Sequence, residues 1–110
     1  MLESPQTRQM PDDTYLKMIN VIKEVGDERK RQFVKWGDQS FRTQTDWVAI
    51  AGEEFGEVAK EVVDYFLGNQ YPTIEQAKRL RNEWLQLAAV AVQAIEMLDR
   101  VKIEKPFFGK

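Results

Sequence analysis

Between Glu53 and Asp64 the chain carries five carboxylates, Glu53, Glu54, Glu57, Glu61 and Asp64, against a single lysine, Lys60. On a helix advancing about 100° per residue, Glu54, Glu57, Glu61 and Asp64 fall within an arc of roughly 80°. Ala51, Phe55, Val58, Val62 and Phe66 lie beside that arc, so the carboxylates border an apolar face. Like charges three and four residues apart cost ~0.2 to 0.5 kcal/mol per pair in water, and more when water is partly withdrawn. Such a stripe is either a solvated surface or the wall of a site for a divalent cation. Farther on, Arg79, Glu83, Gln86, Val90 and Gln93 share one face of a second helical stretch, a polar band in an otherwise apolar run. If the two helices pack antiparallel, Glu83 and Gln86 meet Glu54 and Glu57. That makes an all-oxygen cluster suited to Mg2+ or Mn2+.

Composition narrows the chemistry. With no cysteine and no histidine, thiol nucleophiles, disulfides, Cys-ligated zinc and imidazole bases are excluded, and zinc is not the expected metal. Carboxylates, amides, lysine and arginine remain. Sixteen basic against 18 acidic residues give a net charge of -2, which creates no field to gather nucleic acid or an acidic membrane, so function must sit in a local site. No apolar run approaches the ~20 residues of a membrane span, and MLESPQTRQMPDD lacks the features of a signal peptide. The expected setting is cytoplasmic.

The elements that must position these groups are helical. No segment alternates with a period of two, and 110 residues with 43% hydrophobic content suit one domain. The expected fold is all-α: an antiparallel bundle of three long helices, one of them possibly split, completed by oligomerisation. Residues 1–12 read as a mobile arm, 13–101 as the helical domain and 102–110 as a tail. Asp12 and Asp13 are placed to cap the first helix, which carries Tyr15, Met18, Ile19, Ile22, Val25, Phe33 and Trp36; Gly26 suggests a kink. Thr45 or Asp46 can cap the second, which runs to Leu67 before Gly68. Thr73 and Gln76 form a capping box for the third, ending near Val101. At about 27 residues of ~1.5 Å each, this last helix is longer than one small domain needs. Its apolar stretch from Leu85 to Leu98 suggests burial against another subunit, and a dimer or tetramer is expected. Gly52 and Gly56, four apart, suggest a close helix contact, and Trp47 and Trp84 are assigned to core or interface.

EEFGE at 53–57 and NEWLQLAAVAV at 82–92, with RKRQFVKWGDQ at 29–39 upstream, resemble the MazG-like all-α nucleotide pyrophosphohydrolases and the related dimeric dUTP pyrophosphatases. The likeness spans about residues 29–96. That family pairs Glu-x-x-Glu on one helix with Glu-x-x-Asp on a later one to hold magnesium at a nucleotide triphosphate. Here Glu54 and Glu57 complete the first motif; in the second, Glu83 is present and Gln86 stands in place of aspartate. The resemblance implies hydrolysis of a nucleoside triphosphate to monophosphate and pyrophosphate, with Glu54, Glu57, Glu83 and Gln86 as metal ligands. Glu53 or Glu61 would accept the proton of the attacking water. Lys35, with Arg29, Lys30 and Arg31 near it, can contact phosphates, Trp36 can stack on a base, and Asp64 completes the substrate-facing set. No specific nucleic acid and no membrane are expected as partners.

Overall fold

The structure is a computed structural model, and it describes residues 8–68 and 71–101. Three long helices account for most of them: α1 (Asp12–Trp36), α2 (Gln44–Val62) and α3 (Ile74–Arg100), with a single π-helical turn, Val63–Leu67, extending α2. No strand occurs among the described residues. The fold is an all-α arrangement of three packed helices.

α3 is the hub. Both α1 and α2 pack chiefly on it, with few close backbone approaches between them. Gln44 at the start of α2 donates to the carbonyl of Ala94 near the end of α3, and Arg79 near the start of α3 donates to the Tyr65 hydroxyl beyond α2. The two helices are therefore antiparallel. α1 runs parallel to α3, tied by ion pairs from Glu24 to Arg81 and from Arg29 to Glu96 (2.9 Å).

Local signals explain the boundaries, with some corrections. Thr73 caps α3 and exchanges hydrogen bonds with Gln76, as its spacing requires. α2 is capped by Thr43, two residues before the expected Thr45; Asp46 is its reciprocal partner in the capping box and not the cap. α1 has no side-chain cap, and Asp12 and Asp13 lie within its first turn, where their charge favours the helix dipole. Gly26 produces no break, because α1 is continuous from Asp12 to Trp36. A glycine costs about 1 kcal/mol in a helix interior, and the cross-ties at Glu24 and Arg29 on either side of it offset that cost.

α1 ends at Gly37, whose φ of 74° is left-handed and suits a residue without Cβ; its N–H donates to the Phe33 carbonyl at 2.7 Å. The Gly52 and Gly56 contact is corrected too: a Cβ on either would meet nothing within 4 Å, so no helix of this protomer approaches them. The apolar core of the described residues is small, comprising Trp47, Val58, Ala89 and Val90. Tyr15, Met18, Ile19 and Ile22, one face of α1 at helical spacing, remain exposed, as do Trp84, Ile95 and Leu98 on α3.

Candidate functional site

Packing of α2 on α3 sets the phase of α2 and so aims its carboxylates. Val58, 1% exposed, turns into the seam with α3, and the acidic stripe lies along the edge of that seam. The charge of Glu54 on α2 reaches Glu83 on α3 across the two antiparallel helices. Burial first, then the charges of Glu57, Glu28 and Glu53, push the Glu54 carboxyl above the usual carboxylate range. Burial again, then Glu54, Glu57 and Glu61, raise that of Glu83. One oxygen of Glu61, Oε2, is closed off from solvent and has no hydrogen-bond partner among the described residues. Crowded, partly dehydrated carboxylates with an orphaned oxygen are a donor set that fits a hard divalent cation in kind. Among the described residues, however, no group of three or more acidic side chains stands close enough to share one ion. A cation would have to draw Glu54, Glu57 and Glu83 inward.

The other expected residues divide. Glu53 and Glu57 are exposed on α2. Asp64 falls in the π-helical turn, whose wider winding departs from the 100° step that placed it on the stripe, and it is exposed. Gln86 meets α1 through its backbone: its carbonyl accepts from Gln32 Nε2 at 3.2 Å. Lys35 lies over the Trp36 ring at 4.9 Å. Of the basic residues near Lys35, Arg29 is committed to Glu96 and Arg31 grips Glu28 through two 2.7 Å hydrogen bonds. These bonds, acting against the cost of burial, hold the Glu28 carboxyl below its ordinary range.

Glu28 is the member of the acidic group that the motif spacing misses. It is nearly buried, its charge reaches Glu54, and it anchors a polar chain running into the bundle. Gln32 Nε2 donates to Glu28 Oε2 at 3.1 Å, and Gln93 Nε2 donates to Gln32 Oε1 at 2.7 Å. The available sequence signal was the four-residue step from Glu28 to Gln32, matched by the polar band on α3.

Beside this chain lies a cleft of about 290 Å3. Gln32 and Trp36 of α1 form one wall, and Trp47, Ile50, Glu53 and Glu54 of α2 the other. Val90 and Gln93 of α3 make the floor, with Gln39 and Arg42 of the α1–α2 loop at the end. That loop is pinned: Arg42 Nε donates to Gln39 Oε1 at 2.6 Å and Gln39 Nε2 to the Trp36 carbonyl at 2.9 Å. Trp36 is 63% exposed, so it is no core residue. The site thus joins a tryptophan-walled cleft to a ridge of carboxylates through Glu53 and Glu54.

Comparison with family models, with curated proteins and with solved structures returned no match for this chain.

Proposed function

We propose that the protein is a magnesium-dependent nucleoside triphosphate pyrophosphohydrolase of the MazG-like kind, releasing monophosphate and pyrophosphate and so clearing unwanted nucleotides. The observation that carries this reading is that Glu54, on the wall of a cleft lined by Trp36 and Trp47, has its carboxyl pKa raised by burial and like charges, and that its own charge helps to raise that of Glu83 on the facing helix. Glu54, Glu57, Glu83 and the Gln86 amide would hold Mg2+ or Mn2+, which supplies charge neutralisation at the phosphate oxygens and makes water more acidic. The chain's own residues do the rest. Glu53, on the cleft wall, or Glu61 takes the proton as water adds to phosphorus at the α–β bridge, and the bridging oxygen leaves with the other phosphate fragment. Lys35 contacts the phosphates, Trp36 stacks on the base, and Asp64 orders the substrate's outer edge. The reaction needs no histidine and no thiol.

A second reading is favoured by Gln86, whose amide adds no charge to the cluster. In that reading the chain is a helical module of the same fold that binds nucleotide or a protein partner without turnover.

Self-association belongs to the proposal. Tyr15, Met18, Ile19 and Ile22 form a regular apolar face left exposed among the described residues, and Trp84, Ile95 and Leu98 add separate apolar exposure on α3. A face built like half of a helix–helix seam fits a second copy of the chain, in a homodimer or tetramer. No helix among the described residues is long and apolar enough to cross a membrane; a cytoplasmic setting accords with that.

The test is a panel of ribo- and deoxynucleoside triphosphates with Mg2+, scored for monophosphate and pyrophosphate, with Glu54→Ala as control. Turnover that requires Mg2+ and is lost in Glu54→Ala supports the enzyme. Saturable nucleotide binding without products supports the module.

A further inference from the structure

We infer that the cleft is a nucleobase pocket whose recognition edge is the Trp47 indole N–H together with the Gln93 amide. It would select a planar ring bearing a hydrogen-bond acceptor beside a donor. This rests on the nucleotide reading above and adds to it which groups touch the base.

Trp47 is 4% exposed and lines the cleft, and its Nε1, closed off from solvent, has no hydrogen-bond partner among the described residues. A buried indole ordinarily finds an acceptor, and a ring carbonyl or ring nitrogen in the cleft supplies one. Gln93, 8% exposed, offers the complement. Its orientation is dictated from a distance: a carboxylate only accepts, so Gln32 must turn Nε2 toward Glu28. Gln32 Nε2 also donates to the Gln86 carbonyl, leaving its Oε1 to accept from Gln93 Nε2. Gln93 Oε1 is thereby an acceptor of fixed position with no partner among the described residues. Donor and acceptor, held by α2 and α3, match the mixed hydrogen-bonding edge of a purine or pyrimidine.

Size and surroundings agree. The volume of about 290 Å3 lies at the bottom of the ~300–1,000 Å3 range of ligand sites, room for a base with part of its sugar. Arg42, its Nε engaged by Gln39 Oε1, closes the end of the cleft and keeps its guanidinium charge there. Trp36 presents an exposed indole face for stacking, and Glu53 and Glu54 mark the side toward which phosphates extend.

The protein has 3 tryptophans, hence three indole N–H signals in a 1H–15N correlation spectrum, and Trp47→Phe identifies the relevant one. The full-length protein is titrated with uridine, cytidine, adenosine and guanosine, none carrying phosphate, and with ribose 5-phosphate, which carries no base. At least one nucleoside should shift the Trp47 signal saturably and ribose 5-phosphate should not. Gln93→Leu should weaken that nucleoside about tenfold, the worth of one hydrogen bond. A Trp47 signal indifferent to every nucleoside, or equally responsive to ribose 5-phosphate, overturns the inference in the parent protein alone, whether or not Gln93→Leu folds. Triphosphate hydrolysis with an unmoved Trp47 signal would remove the base edge and leave the enzyme. Nucleoside binding at Trp47 without hydrolysis would do the reverse.

Discussion

Replacing Glu83 by glutamine should stabilise the metal-free protein. Its carboxyl is partly dehydrated and faces three like charges, Glu54, Glu57 and Glu61. At ~0.2–0.5 kcal/mol for each like-charged neighbour, removing the charge relieves about 1 kcal/mol, and for a domain of this size that raises the melting temperature by ~4–8 °C. The pH dependence has a definite sign. A carboxyl whose folded pKa lies above its ordinary 4.5 stabilises the fold fully below pH 4.5, and that contribution is lost as pH rises through the folded value. The advantage of Glu83→Gln should therefore be full at pH 7 and shrink to nothing as the pH falls to about 4.5. Mg2+ should reverse the order, because a ligand that binds only the folded state stabilises the parent by RT ln(1 + [Mg2+]/Kd) and the variant much less. Thermal melts across pH, with and without Mg2+ and Mn2+, give the answer. A variant less stable than the parent at pH 7 without metal, or a parent indifferent to both ions, would refute the crowded-carboxylate argument.

Glu54→Ala or Glu57→Ala should abolish cation-dependent nucleotide turnover while far-UV circular dichroism stays helical; parent-like rates in either variant would remove its ligand role. Gln32→Leu should cost about 1–3 kcal/mol by leaving Gln93 and the Gln86 carbonyl without their partner, and calorimetry measures it. Light scattering should return a multimer mass at micromolar concentration, and Ile19→Asp together with Ile22→Asp should reduce it to the protomer without unfolding the chain.

Legibility from the sequence followed the range of the forces involved. The Thr73–Gln76 capping box is a contact over three residues and was readable outright. Around α2, Thr43, Thr45 and Asp46 are all competent caps, and only the register of α2 against α3 selects Thr43. Gly26 misled because a local cost of about 1 kcal/mol says nothing of the ion pairs flanking it. The influence of Glu54's charge on Glu83 accords with two stripes and one antiparallel pairing, both periodic features. The position of Asp64 did not, since a π-helical turn has no simple composition signal. Nor did the cleft: it forms where the end of α1, the loop after it and the start of α2 converge on Val90 and Gln93, and one-dimensional periodicity does not encode such convergence.

Because α1 and α2 each pack chiefly on α3, with few close backbone approaches between them, the two walls of the cleft are expected to behave as largely separate parts. In the ligand-free protein, opening of the α1 wall and opening of the α2 wall should be nearly independent events. A guest touching Trp36 and Trp47 together would supply the bond between walls that the fold omits. Substitutions on opposite walls should then combine additively when the cleft is empty and couple once it is filled, so that occupancy is written into the slow hydrogen exchange of two helices.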